Sequence, residues 1–516
     1  MKYPSLAALR FSLFVLIACL TASPALAQAT ARGTIEGRVL NTRNGEYLEK
    51  ARLTIEGTGI ETFTDSSGQY RFTGVPAGAV KVRVFFTGLD MQTETVVVAD
   101  GTTVQRDFSL DATLKSAVKD KDTGVVKLSE FKVGASKEMD GAAIAINEQR
   151  FASNMVNVVS ADEFGHVAEG NVGEFLKFIP GISMDYGGGD ARTISLGGAP
   201  SNNVPVTIGG FSLSSAASSG TSRTVELEQV SINNIARIEV YHSPTPESPG
   251  SALAGGVNMV PRGAFERSKP VLNWSTYWMF RDAEKELKKT PGPTRDETYK
   301  IHPGFDFSWV VPVNKRFGFT LSGGHSSQYT MQDYFANTWR GAGQATSAPV
   351  TVAGVIVPGA LPDTTPDKPY LTNYQVRDGT KLTTRDSMGA TMDFKLSRND
   401  MISFSFQYAY FDAEFNNRNL NFAISRVLPG NFDTRTTNGD VGQGSMSVNS
   451  GARQKAGTTY MPTLIWRHNG PIWKADVGGS FSHSSNHYRD IDKGYFNGTN
   501  TQRTNVTVAF SEITYL

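Results

Sequence analysis

The sequence predicts a mainly β chain in three parts: an N-terminal β-sandwich, an α+β domain and a partial antiparallel transmembrane β-barrel. Short strand-like runs separated by Gly, Asn, Asp and Pro fill residues 33–110. A helical period and glycine-ended strands follow, and a period of two dominates after residue 300. The 50 Lys and Arg balance 49 Asp and Glu, so the chain is no polyelectrolyte and nucleic acid is not an expected partner.

The first 27 residues have the layout of a cleaved secretory signal peptide. Lys2 and Arg10 precede the apolar run 11–20, and the A-L-A triplet at 25–27 is the expected cleavage site. The apolar run is too short to span a bilayer as a helix. Lipoprotein processing at Cys19, the sole cysteine, is the alternative. After cleavage at residue 27 no cysteine remains, which excludes thiol catalysis, disulfides and Cys-ligated zinc.

Residues 28–114 are expected to form the sandwich, with seven short strands between residues 34 and 110. Gly33-x-x-x-Gly37, the T-D-x-x-G-x-Y stretch at 64–70 and Pro76-x-Gly78 resemble the carboxypeptidase regulatory-like family, whose fold is carbohydrate-binding-like. The family name implies no peptidase activity. A folded spacer and a sugar-binding or partner-binding module both remain open.

Residues 115–136 are expected to be a linker with an extended segment. That segment, residues 125–133, begins with Val125, Val126, Lys127, Leu128 and Ser129. Such a stretch can add its backbone to the edge of a partner's sheet. It resembles the TonB-box region of outer-membrane receptors, which implies the periplasmic energy-coupling protein TonB as partner. An ordinary linker strand is the alternative.

Residues 235–262 read as a strand, a Pro-rich turn and a second strand. The strand I-x-R-I-E-V contains Arg237, Ile238 and Glu239, and Gly255-Gly256 and Asn258 open the second strand. This pattern resembles the end of the plug domain in TonB-dependent outer-membrane receptors. Upstream, residues 171–179 have helical spacing, and Pro180-Gly181 ends that helix as it does in the family. Residues 137–266 are therefore expected to be a plug domain.

Two glycine-ended strands, at 193–198 and 204–210, occupy the places of two further plug segments. Gly197 and Gly209 stand where that family usually has Arg and Asp. The family's backbone pattern is kept, whereas its charge pair is not expected here. The triglycine at 187–189 lacks the spacing of a phosphate-binding loop and predicts a plug loop.

Residues 267–516 are expected to form part of a barrel. Five segments alternate apolar and polar residues, which is typical of strands with one face on lipid and one on water; they lie near 305–311, 317–321, 390–396, 402–410 and 473–481. Tight turns are predicted at 313–315, 398–400 and 468–471. Long outer loops are predicted at 281–298, 330–383 and 416–453, with an apolar hairpin at 350–357.

The predicted strands number roughly eight, whereas plugged barrels need about 22. A closed eight-strand barrel is filled by its own side chains and has no room for a plug. The sequence is therefore expected to be the N-terminal portion of a receptor.

No catalytic or metal site is predicted. HExxH, GxSxG and P-loop motifs are absent from the sequence, and no cofactor is expected. His483 and His487 would lie on one face of a strand but about 13 Å apart, too far for one ion.

The resemblance implies an outer-membrane receptor that imports an extracellular siderophore or oligosaccharide with energy from TonB. Outer-membrane lipid is then a further partner. Candidate substrate-binding residues are Asn202, Asn203, Tyr334 and Trp339, in the expected plug apices and outer loops. A non-transporting glycan-binding or adhesion protein is the alternative, and an enzyme of the carboxypeptidase type comes third.

Overall fold

The computed structural model describes residues 32–111, 137–161, 171–216, 222–246, 248–282, 285–293, 297–340, 350–352, 355–357, 368–470, 472–490, 493–496 and 498–514. The predicted signal peptide and the extended segment 125–133 lie outside these residues and stay predictions. In the described part of the chain, no helix has the length and apolar character that a bilayer span requires.

The N-terminal part is a sandwich of nine short strands: β1 (Arg32–Asn41), β2 (Glu46–Tyr47), β3 (Arg52–Ile55), β4 (Glu61–Phe63), β5 (Gln69–Pro76), β6 (Gly78–Phe85), β7 (Gln92–Val98), β8 (Thr103–Gln105) and β9 (Phe108–Leu110). One sheet has the order β2-β1-β5, with β8 and β9 parallel to β1, and the other is β4-β3-β6-β7. Alternate residues of both sheets, such as Ile35, Phe72 and Val82, fill the core between them. The predicted sandwich is confirmed.

The middle part combines two helices with seven strands: α1 (Lys137–Arg150), β10 (Val156–Ser160), α2 (Val172–Leu176), β11 (Ile182–Gly187), β12 (Asp190–Leu196), β13 (Val206–Ile208), β14 (Phe211–Ser212), β15 (Ile235–Tyr241) and β16 (Gly256–Pro261). A five-stranded sheet has the order β10-β15-β16-β13-β14, and β11 and β12 form a separate hairpin. The core lies between this sheet and α2, where Phe175, Leu176 and Ile238 are fully buried.

Helix α2 begins where the sequence predicts because Asn171 caps it. The side-chain oxygen of Asn171 accepts a hydrogen bond from the backbone N–H of Gly173 at 2.8 Å, and its amide group donates to the carbonyl of Ala191 at 3.1 Å. The cap satisfies one otherwise unpaired helix N–H and ties the helix to β12. The predicted helix is therefore confirmed, but it ends at Leu176, before the predicted stop at Pro180-Gly181.

Helix α1 packs on the sandwich. Asn147, which is fully buried, donates from its side-chain amide to the carbonyl of Lys50 at 2.9 Å. Just after α1, the ring of Phe151 contacts that of Phe63 of β4 at a tilt of 58°, with centroids 5.0 Å apart. The Gly-rich and Ala-rich middle of α1 gives only a weak apolar stripe, so the sequence pattern does not predict this helix.

The C-terminal part is dominated by an antiparallel sheet of ten strands: β17 (Val271–Met279), β20 (His302–Pro312), β21 (Phe317–Met331), β22 (Tyr334–Arg340), β25 (Tyr370–Lys395), β26 (Asp400–Ile424), β29 (Gly444–Asn469), β30 (Lys474–Ser480), β31 (His483–Arg489) and β32 (Thr499–Val506). Smaller sheets contain β18 (Thr290–Pro291), β19 (Glu297–Thr298), β23 (Val350–Val352), β24 (Val355–Val357), β27 (Val427–Phe432), β28 (Thr437–Gly439) and β33 (Ala509–Phe510). The predicted hairpin at 350–357 is the β23-β24 pair.

The rows of paired residues across this sheet alternate between apolar and hydroxyl side chains. One row consists of Val311, Phe319, Met392, Phe404 and Leu464. The next row consists of Thr320, Thr391, Ser405, Thr463 and Ser480. Phe404 and Leu464 are 38% and 53% exposed. Thr320 and Thr391 are buried against the middle part of the chain, where both hydroxyls hydrogen-bond to the side chain of Asn234. The predicted alternation therefore places all its apolar residues on one face, which is exposed.

The predicted long loops at 330–383 and 416–453 are wrong in part. Residues 370–383, 416–424 and 444–453 belong to strands β25, β26 and β29, which are 26, 25 and 26 residues long. A bilayer crossing needs only about 9–11 of these residues. Beyond that length both faces of the strands are largely polar, so the sequence loses the apolar period that marks a strand.

The number of strand positions also differs from the prediction of eight. Strands β21 and β22 pair with successive stretches of β25, and β30, β31 and β32 pair with successive stretches of β29. Each of these groups is one interrupted strand. The ten strands of the described sheet thus occupy seven positions side by side.

The turn between β15 and β16 has one position that only glycine fits. Gly255 has a φ of +102°, and a Cβ there would lie 1.7 Å from the carbonyl oxygen of Tyr241. Gly250 in the same connection has open space around it. Glycine at position 255, between β15 and β16, is thus required by close backbone approach.

We expect Gly255→Ala to destabilise the middle domain by about 2 kcal/mol or more, because it adds both a steric overlap and a positive-φ side chain. Differential scanning calorimetry measures the loss, because all six tryptophans lie after residue 270 and do not report on the middle domain. Gly250→Ala is the matched control and should unfold like the unaltered protein. Equal stability of the two variants would contradict the close approach.

Candidate functional site

Side chains of the paired strands β15 and β16 form a hydrogen-bonded frame. Arg237 Nε lies 2.9 Å from Glu239 Oε1, and Asn258 Nδ2 donates to Glu239 Oε2 at 3.0 Å. Asn258 Oδ1 accepts from the hydroxyl of Thr207 and from the N–H of Gly210, both at 2.9 Å. Burial would raise the pKa of Glu239, but Arg237 and the hydrogen bonds hold that pKa below its ordinary value.

This frame also joins the sandwich to the middle domain. Arg237 Nη1 lies 2.8 Å from Glu49 Oε2, just after β2. Pro180 and Gly181 lie apart from the frame, in the turn between α2 and β11, where the carbonyl of Gly181 accepts from the N–H of Gly197 at 2.9 Å. The structure therefore gives these motif residues packing and positioning contacts, and their part in function stays a prediction.

A second cluster, which the sequence did not predict, joins the middle domain to the long sheet. We call it the buried charge cluster; it consists of Asp190, Glu226 and Glu228 of the middle domain and Lys381, Arg385 and Lys455 of the sheet. All six are at most 8% exposed. Three carboxylates thus meet three cations of the sheet, and the partly exposed Arg192 of the middle domain adds a fourth cation, 2.8 Å from Glu226 Oε1.

Each cation of the sheet has a defined partner in this cluster. Arg385 Nη2 lies 2.9 Å from Asp190 Oδ1, and Lys381 binds the other oxygen of Asp190. Lys455 lies 3.0 Å from Glu226 Oε2 and also binds Glu228. The fully buried ring of Phe411 lies 5.3–5.8 Å from all three cationic groups.

Burial would raise the pKa of Asp190, but Arg385 and Lys381 offset it and hold that pKa well below its ordinary value. Asp190 is therefore charged in the folded protein at neutral pH. The sequence signal that could have indicated the cluster is weak. Lys381, Arg385 and Lys455 lie at the polar positions of the strand alternation, where a buried charge needs a partner.

A cleft of about 520 Å³ opens beside this cluster, between the β11-β12 hairpin and the sheet. We call it the apical cleft; residues lining it include Tyr186, Gly187, Gly188, Gly189, Arg192, Gln332, Tyr334, Arg377, Lys381, Asn417, Lys455 and Tyr488. Tyr186, Tyr334 and Tyr488 are 53%, 39% and 43% exposed. The guanidinium of Arg377 lies 4.2 Å from the centre of the Tyr334 ring.

Only one of the four candidate substrate-binding residues lines the apical cleft, and it is Tyr334. Asn202 and Asn203 lie in a short 3-10 helix, Ser201–Asn203, and Trp339 lies at the end of β22, where it pairs with Leu371. Their role in binding stays a prediction. Arg377 and Tyr488 are cleft residues that the sequence did not single out, because they stand in polar strand extensions without an apolar period.

Metal ligands are not gathered anywhere in the described residues, which contain no group of three or more His, Asp or Glu suited to an ion. His483 and His487 lie on β31, opposite Tyr460 and Ala456 of β29.

We expect Asp190→Asn to destabilise the protein by about 3 kcal/mol, because it leaves Lys381 and Arg385 buried without their carboxylate. Since the folded pKa of Asp190 is lowered, its contribution is present above the unfolded pKa of about 4 and is lost as pH falls further. The stability difference between the unaltered protein and the variant, measured by thermal unfolding, should shrink below about pH 4.

Asp185→Asn is the matched control. Asp185 is exposed on the same hairpin, and its carboxylate accepts from the hydroxyl of Thr193 at 3.1 Å. A similar loss of stability in both variants would show that the hairpin tolerates no amide, and would contradict the specific role of the buried charge cluster.

Comparison with known proteins identifies two parts of the chain. Residues 34–111 match the family model of the carboxypeptidase regulatory-like domain. Residues 148–257 match that of the TonB-dependent receptor plug domain. No curated protein sequence matches the chain.

Several solved receptor structures are similar to the chain. The match to the siderophore receptor PirA from Pseudomonas aeruginosa covers 65% of this chain and 58% of the receptor chain, with 12% identity and a TM-score of 0.26. The match to PirA from Acinetobacter baumannii covers 67% of this chain and 59% of the receptor chain, with 9% identity and a TM-score of 0.27. The match to the outer-membrane transporter YddB from Escherichia coli covers 64% of this chain and 57% of the transporter chain, with 11% identity and a TM-score of 0.26.

The chain thus spans between 57% and 59% of the length of these three receptors. The two resemblances expected from the sequence are confirmed by the family matches. The chain carries a carboxypeptidase regulatory-like domain followed by a TonB-dependent receptor plug domain, which contacts a long antiparallel sheet.

Proposed function

We propose that the protein is a TonB-dependent outer-membrane importer that binds an extracellular substrate in the apical cleft. The observation that carries the proposal is the two-faced sheet: its polar face contacts a plug-family domain, and its apolar face is exposed. An exposed apolar face on strands of this length suits lipid, and a polar face suits a water-filled interior that a plug occupies.

The apical cleft suits the substrate because it offers flat aromatic faces beside hydrogen-bonding groups. Tyr186, Tyr334 and Tyr488 present exposed rings, and Asn417 and Gln332 add neutral polar groups. Aromatic rings of this kind stack on sugar rings and on flat chelates. Siderophore and oligosaccharide therefore both fit the proposal.

The β11-β12 hairpin links the apical cleft to the buried charge cluster that joins the plug domain to the sheet. Gly189 accepts from Arg281 Nη2 at 2.9 Å through its carbonyl, and the next residue is Asp190 of the buried charge cluster. A ligand that moves the apex of the β11-β12 hairpin acts directly on the ion pairs of Asp190. Residues 125–129 precede the plug in the chain and are the proposed contact with TonB, which supplies the energy.

Deletion of residues 125–133 is expected to abolish energised uptake while substrate binding persists, because the deletion removes only the proposed TonB contact. Uptake and cell-surface binding of a labelled ferric catecholate and a labelled glucose oligomer are compared in cells that produce the protein. Deletion of residues 112–120 shortens the same connection equally and serves as the control. Uptake that survives the first deletion contradicts the proposed TonB contact, whereas surface binding without uptake by the unaltered protein supports the non-transporting alternative.

Tyr334→Ala is expected to weaken binding of whichever probe the protein takes by about three- to tenfold, because it removes a stacking face and the site of the Arg377 contact. Equilibrium binding to the purified protein measures the change. Tyr299→Ala is the matched control, since Tyr299 is also exposed and lies 5.5 Å from a cation, Lys289, outside the cleft. Equal effects of the two substitutions would place the substrate elsewhere.

A further inference from the structure

A second cleft, of about 590 Å³, lies where the sandwich meets the tight turns of the long sheet. We call it the basic cleft; its charged lining residues are Glu36, Arg38, Arg71, Asp107, Lys315, Arg316, Lys395 and Arg398. Six of them are cations and two are carboxylates, so the lining has a formal excess of four positive charges. An excess of this size in one cleft attracts an anion.

The two carboxylates are already engaged. Glu36 Oε2 lies 2.8 Å from Arg71 Nη2, and Glu36 Oε1 lies 2.9 Å from Arg398 Nη1. Asp107 Oδ1 accepts from the backbone N–H of Arg38 at 2.8 Å. Glu36 thus shares one negative charge between two guanidinium groups.

The turn between β20 and β21 supplies two further cations. Lys315 and Arg316 are both exposed, and no ion pair of either side chain occurs among the described residues. Exposed cations of a single turn are commonly just hydrated. Here they line one cleft together with Arg398 of the neighbouring turn and with Arg38 and Arg71 of the sandwich. Their positive charges therefore add to those of the other three arginines.

Aromatic side chains mark the same rim of the sheet. Trp309 and Phe319 make an edge contact with ring centroids 5.4 Å apart, Phe317 stacks on Phe394 at 4.6 Å, and Trp473 stacks on His468. Trp473 is 55% exposed. Aromatic rings at the end of an apolar strand face are typical of the level of lipid headgroups. The turns with Lys315, Arg316 and Arg398 lie directly beyond these rings in the chain.

We propose that the basic cleft binds the phosphate-bearing headgroup of an anionic phospholipid. The proposal rests on the membrane placement proposed above. Arginine forks match phosphate oxygens in two-point contacts, and lysine adds a point charge. Since Arg38 and Arg71 belong to the sandwich and the other cations to the sheet, a bound lipid bridges the sandwich and the membrane rim.

The test uses the purified full chain in a non-ionic detergent with short-chain phosphatidylglycerol as the probe. Titration calorimetry should show binding of phosphatidylglycerol and at least tenfold weaker binding of phosphatidylcholine with the same chains. The double variant Lys315→Gln/Arg316→Gln should weaken phosphatidylglycerol binding about fivefold per cation, or roughly 30-fold together.

The control is Lys288→Gln/Lys289→Gln, which removes the same charge in the connection after β17, at the opposite end of the strands. It should leave lipid binding unchanged. Thermal unfolding of both double variants checks that they fold. Where the first fails to fold, Arg316→Gln alone replaces it, with an expected fivefold loss.

Three results would overturn the proposal: equal binding of the two lipids, equal losses in variant and control, or inorganic phosphate that binds as tightly as phosphatidylglycerol. The last would identify a free-phosphate site. The binding measurement does not depend on import. Failure of uptake with intact phosphatidylglycerol binding contradicts the proposed transport alone, and intact uptake without that binding contradicts only the lipid site.

Discussion

The pairing register of the long sheet is the constraint on which its other features depend. Side chains alternate between the two faces with a period of two, so the register that aligns Phe319, Met392 and Phe404 also aligns the neighbouring hydroxyl row. A slip of one residue in β25 would turn Lys381 and Arg385 towards the apolar side. Charged residues on a lipid-facing strand surface cost about 2–4 kcal/mol each at the bilayer midplane. The apolar face and the buried cations are therefore fixed by the same pairing.

The buried charge cluster follows from that register. Once Lys381, Arg385 and Lys455 point towards the plug, burial without partners would cost several kcal/mol per charge. Asp190, Glu226 and Glu228 remove that penalty, which explains why the plug presents three carboxylates to one area of the sheet. The pairs bring little net stability compared with an apolar contact, but they resist removal of either partner. Water that enters between plug and sheet would weaken each pair, since the interaction energy falls as the dielectric rises.

The sequence allowed prediction wherever one residue's chemistry was set by its immediate surroundings. The apolar period at 402–410 is dictated by an apolar environment, and Asn171 and Gly255 are dictated by a helix cap and a close backbone approach. The polar extensions of β25, β26 and β29 were missed because their hydrogen bonds come from neighbouring strands and leave no apolar pattern. The buried charge cluster was missed because Asp190 and Arg385 are far apart in sequence, and nothing local pairs them.

The polar side chains of β15 and β16 differ from those of the apical cleft in how fully their contacts within the protein account for them. Arg237, Glu239 and Asn258 satisfy one another and hold Glu49 of the sandwich, so packing and ion pairing account for their side chains without a ligand. A motif of this kind identifies the domain and its attachment, but carries no information on substrate. The proposed substrate site depends instead on exposed side chains, and Tyr186, Tyr334 and Tyr488 of the apical cleft are exposed. Since these residues come from the plug hairpin and from two separate strands, only the folded arrangement brings them together.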